Sequence, residues 1–165
     1  MAIKYAEKLA STKEVGKAKG ANLKISLKKS VETLSAIKGM KVDNAISFLE
    51  DVVEQKRPVP YKRFNREVPH KKGKGIAAGG YPVAVAKQIL VLLRNAKKNA
   101  EELEISDTLY VISASARKGA RRFHTGRNIG QMIKSTNVEI IVGPKGGKKQ
   151  WLREKLLMIE LLSMQ

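Results

Sequence analysis

Two short apolar segments flank a strongly basic one in the second half of the chain, and this pattern constrains the fold most. Residues 108–115 (TLYVISAS) and 137–142 (NVEIIV) alternate apolar and polar side chains, as β-strands do. Residues 116–136, between them, contain six Lys or Arg and no Asp or Glu. Two strands joined by such a connection predict an antiparallel hairpin. Burial cannot repay the entropy of ordering so charged a segment, so we expect the hairpin to continue as a long basic arm outside the core.

The first half of the chain predicts one strand followed by two helices. Residues 22–26 (NLKIS) alternate as a short strand does, and Ser26 is a favourable N-cap for a helix over residues 27–38. Asp43 can cap a second helix over residues 44–54, whose apolar positions recur at helical spacing.

A long basic loop and a third helix follow. Residues 56–80 show no clear period and carry eight Lys or Arg against one acid. Loops of this length in compact domains are usually functional or disordered. Pro82 suits the first turn of a helix that runs to about residue 103 with a broad apolar face. Residues 151–162 also have helical spacing.

These elements predict an α+β fold in which three helices pack on a small antiparallel sheet and a long, extended basic β-hairpin projects from it. We expect residues 1–20 to form a basic N-terminal arm, since they are rich in Lys, Ala and Gly with little periodicity. Residues 21–143 would form the globular domain, including the hairpin over 108–142. Residues 144–165 would be a C-terminal helical extension.

The charge of the chain indicates a polyanionic partner. Lys and Arg number 33 against 15 Asp and Glu, a formal net charge of +18. An excess of this size favours a nucleic acid first and an anionic membrane surface second. The chain has no Cys, which excludes disulfides and thiolate chemistry and favours a reducing cytosol. No apolar stretch is long enough to cross a bilayer. We expect no membrane partner, and a protein that binds a membrane surface through its C-terminal helix is a less favoured alternative.

Residues suited to catalysis are scarce. His70 and His124 each stand alone in a basic loop, without a neighbour at metal-ligand spacing. The glycine-rich residues 73–80 and 143–147 lack the phosphate-loop pattern. Three acids within residues 101–104 are more typical of a soluble helix end than of an acid–base pair. We therefore expect no enzymatic activity, no cofactor and no metal ion.

RNA is the favoured partner of the basic segments. Arg binds phosphate bidentately and stacks on bases, and several phosphate contacts together give strong, salt-sensitive binding. A basic DNA-compacting protein, or another kind of nucleic-acid-binding protein, is the alternative, and a basic loop without a ligand is the third possibility. Within the loop, Tyr61 and Phe64 could either stack on an unpaired base or pack into the core.

Four segments stand in a characteristic order: 24–52 (KISLKKSVETLSAIKGMKVDNAISFLEDV), 59–68 (VPYKRFNREV), 81–103 (YPVAVAKQILVLLRNAKKNAEEL) and 126–142 (GRNIGQMIKSTNVEIIV). Together they resemble the large-subunit ribosomal protein family L-twenty-two in its archaeal and eukaryotic version. The resemblance implies a structural constituent of the large ribosomal subunit in the cytoplasm. Such a protein binds large-subunit rRNA, assists its assembly and lines the peptide exit tunnel with its hairpin. Its neighbours would be other large-subunit proteins and, near the hairpin tip, the nascent peptide.

The resemblance also implies which residues face RNA. They lie at the start of the first helix, at the end of the third helix and along the hairpin, and the cations of the basic loop join them on charge alone. The expected RNA-binding residues are Lys24, Ser26, Lys28, Lys29, Lys62, Arg63, Asn65, Arg66, Lys71, Lys72, Lys74, Lys97, Asn99, Arg117, Lys118, Arg121, Arg122, His124, Arg127 and Lys134.

Overall fold

The computed structural model describes residues 15–73, 75–105, 108–120 and 122–144, and within these ranges the chain forms three helices and seven strands. The C-terminal helix predicted over residues 151–162 lies outside the described residues. In chain order the elements are β1 (Gly16–Leu23), α1 (Leu27–Ile37), α2 (Val42–Val53), β2 (Val59–Pro60), β3 (Gly79–Gly80), α3 (Val83–Glu101), β4 (Leu109–Lys118), β5 (Arg122–Phe123), a 3₁₀ turn (Gly126–Asn128), β6 (Met132–Ile133) and β7 (Thr136–Pro144).

Three of the strands form an antiparallel sheet in the order β1-β7-β4. Ile140 lies at its centre, with Ala18 opposite on one side and Ala114 on the other. Directly paired residues share a face of the sheet. This face also carries Val138, which like Ile140 is fully buried, and it packs against α1 and α3. The predicted α+β class, with three helices on a small antiparallel sheet, is confirmed.

Helix α3 packs on the sheet through the apolar face that its sequence predicts. Ile89 and Leu93 are fully buried. Near the end of the helix the buried residues become small, Ala96 and Ala100, and β1 approaches them closely. A Cβ atom on Gly16 would lie 2.4 Å from the Ala96 carbonyl oxygen, so only glycine permits this approach.

The first strand begins earlier than its sequence predicts. The structure places β1 at Gly16–Leu23 instead of residues 22–26, so residues 16–20 belong to the sheet and not to an irregular arm. Gly16, Ala18 and Gly20 are buried while the lysines between them alternate to the other face. Alternation of small residues with lysine is a strand pattern, but it carries little of the apolar signal on which the prediction depended.

Helix α1 occupies the predicted position but buries a more polar face. Ser30 and Thr33 are fully buried beside Leu34 and Ile37. Their hydroxyls donate to backbone carbonyls one turn earlier, with distances of 2.8 Å for Ser30 and 2.9 Å for Thr33. Burial therefore costs little, because each hydroxyl has a partner.

Helix α2 starts two residues before the predicted start at Asn44. Its N-cap is Lys41, so the prediction that Asp43 caps the helix is wrong. Val42 is buried, and this burial extends the apolar face of the helix by one turn. Asp43 instead lies in the first turn, where its negative charge complements the helix dipole.

Strands β4 and β7 continue beyond the body of the protein as a long hairpin. Their ladder reaches Lys118 opposite Thr136, and the Gly119 amide then donates to the Ser135 carbonyl at 3.0 Å. Strands β5 and β6 pair farther out, and the 3₁₀ turn closes the tip. We call residues 119–135 the arm and the remaining described residues the body.

Candidate nucleic-acid interface

The start of α1 presents a positive surface. Lys24, Lys28 and Lys29 are exposed, and Ser26 is half-buried at the N-cap position. The Ser26 hydroxyl makes no capping bond, and the first turn of α1 contains no acid. The partial positive charge of the helix N-terminus therefore adds to that of the lysines.

A buried carboxylate fixes the middle of the basic loop. Glu32 is only 2% exposed, and its two oxygens accept the backbone N–H groups of Lys62, Arg63 and Phe64 at 3.0, 2.8 and 2.7 Å. Charge-assisted hydrogen bonds of this kind are stronger than neutral ones. They hold the backbone against α1 and leave the side chains of Lys62 and Arg63 exposed.

The two aromatic residues of the loop have different surroundings. Tyr61 is half-buried against the core, and burial first, then the charge of Glu32, raises the pKa of its hydroxyl. Phe64 is also half-buried, and its ring centroid lies 5.4 Å from the Arg63 guanidinium carbon and 5.9 Å from Lys28 Nζ. Phe64 therefore joins the loop to the start of α1 in one cationic surface.

The later part of the loop is also basic. Asn65, Arg66 and Lys72 are exposed, while Lys71 is half-buried with its Nζ 5.6 Å from the ring centroid of Tyr81. The predicted residue Lys74 lies outside the described residues.

The two residues predicted at the end of α3 lie apart from the others. Asn99 donates its side-chain N–H to the Lys17 carbonyl at 2.7 Å. Lys17 pairs with Ile141, five residues along β7 from its start at the arm, or about 17 Å at 3.3 Å per residue. Lys97 bonds Asp43 at 2.7 Å, and this bond raises the pKa of the lysine. Both residues thus have partners within the protein.

The root of the arm is held by Asn22, at the end of β1. Asn22 adopts a positive φ of 53°, and its side-chain oxygen accepts the Ala120 N–H at 2.9 Å and the Ser135 hydroxyl at 3.1 Å. The Asn22 N–H donates in turn to Asn137 at 2.7 Å. Gly119 fits between these groups, since a Cβ there would lie 2.3 Å from Ser135 Oγ.

The arm and its root present cations without acidic neighbours. All the described residues of the predicted set in this region are exposed, and none of them forms an ion pair within the described part of the chain. These residues are Arg117, Lys118, Arg122, His124, Arg127 and Lys134, while Arg121 lies outside the described residues.

The family is decided by comparison with known proteins. The model of the family described as "Ribosomal protein L22p/L17e" matches residues 18–143, which is most of the chain. The chain belongs to this family. The membership that the four sequence segments predicted is confirmed, and the match includes all three helices and most of the three-stranded sheet.

Similar individual proteins support this family membership. The large ribosomal subunit protein uL22 of Methanococcoides burtonii is 40% identical over 146 residues, 85% of this chain and 95% of that protein. The protein of the same name from Methanosphaera stadtmanae is 38% identical over 146 residues, covering 84% and 95%. That of Methanococcus aeolicus is 49% identical over 89 residues, covering 53% of this chain and 58% of that protein.

Three residues that shape the surface of this family member were not singled out from its sequence. Asn22 and Gly119 hold the root of the arm, and Glu32 holds the basic loop. Their hydrogen-bond partners lie far away in the chain: Lys62 is 30 residues from Glu32, and Ala120 is 98 residues from Asn22. The local spacing of residues therefore could not predict these contacts. The one available sign is that Glu32 lies among buried positions of an amphipathic helix.

Among the described residues, no helix is long and apolar enough to cross a membrane. The same residues contain no group of three or more His, Cys, Asp or Glu side chains that could hold a metal ion.

Proposed function

We propose that this protein is a structural constituent of the large ribosomal subunit, where it binds large-subunit rRNA and assists its assembly. Membership of the family and the names of the relatives support this role. The proposed role contains no catalytic step. The basic hairpin would line the peptide exit tunnel, with the 3₁₀ turn at Gly126–Asn128 nearest to the nascent peptide.

The observation that carries the proposal is the unpaired charge of the described part of the arm. The segment contains no acid, and its described cations, Arg122, Arg127 and Lys134, are exposed and form no ion pair with the described residues of the body. Phosphates would neutralise them and release condensed counterions, which favours binding. Because Asn22 fixes the root, the arm reaches RNA with its direction already set.

The rest of the proposed interface adjoins the arm. Lys28 contacts Phe64 of the loop, and it also borders the root of the arm. The start of α1, the loop and the arm would therefore meet RNA as one surface, with phosphate contacts setting the position and the arm threading between RNA segments. Lys97 and Asn99 would form a second, smaller contact at the far end of the sheet.

The test removes charge from the arm without touching the body. We expect the triple variant Arg121→Ala, Arg122→Ala, Arg127→Ala to keep its melting temperature and to bind large-subunit rRNA more weakly. The slope of log K against log salt should become shallower by roughly 0.7–0.9 for each phosphate that the variant no longer neutralises. Binding is measured by filter retention at several salt concentrations, and incorporation by co-sedimentation with large subunits.

A charge-matched control separates position from net charge. The variant Lys38→Ala, Lys41→Ala, Lys87→Ala removes three exposed cations of the body and should retain most of the affinity. An equal loss of affinity in both triple variants would contradict the proposal, as would duplex DNA competing as well as rRNA. The latter result would favour a DNA-compacting protein.

A further inference from the structure

A cavity of about 580 Å³ lies where the arm leaves the body, between the start of α1 and the root of the arm. Buried Ile25 and Thr136 form its floor, and the Thr136 hydroxyl is satisfied by the Ile25 carbonyl at 2.9 Å. The walls are Leu27 of α1 and Met132 and Ile133 of β6. The cavity therefore offers an apolar interior within a basic surface.

Three lysines from separate elements border this apolar interior. Lys28 lies in α1, Lys118 ends β4, and Lys134 lies between β6 and β7. No acidic side chain lines the cavity among the described residues. A matching ligand combines an apolar, flat body with negative charge on both sides, and a nucleotide within an RNA strand has this chemistry. The volume is within the range of about 300–1,000 Å³ that is typical of small-molecule sites.

We propose that this cavity binds a single unpaired nucleotide of an RNA, an inference that rests on the proposed function. The base packs against Leu27, Met132 and Ile133, and the flanking phosphates pair with Lys118 and Lys134. Met132 is 58% exposed in the protein alone, so covering it with a base removes apolar surface from water. Unpaired bases that can be splayed out of a helix are the usual targets of proteins that recognise RNA.

The cavity is already formed before RNA arrives. The hydrogen bonds from Ala120 and Ser135 to Asn22 hold the root of the arm against the end of β1, so the part of the cavity formed by β6 does not have to be ordered on binding. Preorganisation of this kind lowers the cost of binding. A nucleotide seated here would in turn fix the direction of the arm relative to RNA.

The experiment compares two RNA stem-loops of equal length with the full chain. One stem is fully paired, and the other carries a single unpaired 2-aminopurine, whose fluorescence reports its surroundings. We expect roughly tenfold tighter binding of the bulged stem, because the base covers apolar surface of Met132, and a change in 2-aminopurine emission when the protein binds. Met132→Ser should lower the affinity for the bulged stem to that for the paired stem.

Ile129→Ser is the matched control, because Ile129 is 80% exposed at the tip and does not line the cavity. It should keep the preference. Equal affinity for the two stems, or a preference that survives Met132→Ser, would overturn this inference while leaving the proposed function intact. Failure to bind either stem or rRNA would overturn both. A photo-crosslinking residue at position 132 should join to rRNA in assembled subunits, and crosslinking to protein alone would also overturn the inference.

Discussion

The two-stranded ribbon that begins as β4 and β7 and continues as β5 and β6 carries different side chains in the body and in the arm. In the body, β4 and β7 place Val111 opposite Val142 and Ala114 opposite Ile140, all against the helices. In the arm, the continuing ribbon places exposed Arg122 opposite Ile133, outside the core cluster that packs on the helices. The backbone ladder persists, but the side chains change from apolar to cationic where the helical layer ends.

Charge is used differently in the same two regions. Some cations of the body pair with acids, as Lys19 does with Glu139 at 3.0 Å and Arg94 with Glu50 at 2.7 Å, while others such as Lys28 stay exposed. The described cations of the arm have no such partners. Ion pairs thus neutralise part of the charge of the body, whereas the described cations of the arm keep their charge for an external polyanion.

Two isoleucines test this difference most directly. Ile140→Ala removes a fully buried side chain at the centre of the sheet, so we expect a loss of about 2–5 kcal/mol in the free energy of unfolding. Ile129→Ala, at the 80% exposed tip, should change it by less than about 0.5 kcal/mol. Urea unfolding followed by circular dichroism measures both. Similar losses would mean that the arm packs on the body.

Gly119 marks the boundary between body and arm. In Gly119→Ala the new Cβ would meet Ser135 Oγ at 2.3 Å and Asn22 Oδ1 at 2.8 Å, so the root must move. We expect a loss of about 1–3 kcal/mol, typical of overpacking. Adding Ser135→Ala removes the closer contact and should restore part of the stability in the same urea experiment. No recovery would show that the conflict lies elsewhere.

Glu32→Gln tests how strongly the conformation of the basic loop depends on its hydrogen bonds to Glu32 of α1. The amide keeps one acceptor for the three backbone N–H groups and loses the charge, so we expect a loss of about 1–2 kcal/mol. Trypsin should then cleave after Arg63 sooner than in the unmodified protein, while cleavage after Arg127 is unchanged.

Glu67→Gln is the control for this loop. Glu67 is exposed in the same segment, and its replacement should leave both stability and the cleavage pattern unaltered. Faster cleavage in both variants would assign the effect to net charge instead of to the buried carboxylate.

Sequence pattern was sufficient for the elements that bury large apolar side chains. The burial of Ile89 and Leu93 in α3, and of the apolar residues in β7, followed from the sequence, because large apolar side chains recur there at the period of a helix or a strand. The start of β1 was missed because Gly16 and Ala18 pack through smallness, which gives almost no hydrophobic signal. The start of α2 was misplaced because burial of Val42 extends the helix by one turn, which leaves Asp43 in the first turn instead of at the cap.

For the candidate interface, charge predicted which segments are exposed but not which of them adjoin. The contact between Lys28 and Phe64 unites two segments, and the chain folding that creates it is encoded in long-range packing. The separation of Lys97 from the arm follows from the register of β1 on β7, which no local pattern reveals. The RNA contacts themselves stay a prediction.

The smallest expected effect concerns Lys97 and Asp43, whose ion pair sits on the surface of the body. A double-mutant cycle with Lys97→Ala and Asp43→Asn should give a coupling free energy of about 0.2–1 kcal/mol, because exposed pairs are screened by water. The bond to Asp43 raises the pKa of Lys97 above 10.5. The contribution of the pair to the free energy of unfolding is therefore complete below the pKa that Lys97 has in the unfolded chain. It is lost as the pH rises through the pKa that Lys97 has in the folded protein.

Arg94 and Glu50 provide the control for that pH dependence. They are also exposed and lie at the same distance of 2.7 Å, but a guanidinium stays charged throughout this pH range. At a pH of about 11.5, above the ordinary lysine pKa, we therefore expect the Lys97 coupling to have fallen while the Arg94 coupling is retained, both measured by urea unfolding. If the Lys97 coupling is unchanged at that pH, the contact is not an ion pair, and Lys97 would count with the free cations of the arm instead of the neutralised ones of the body.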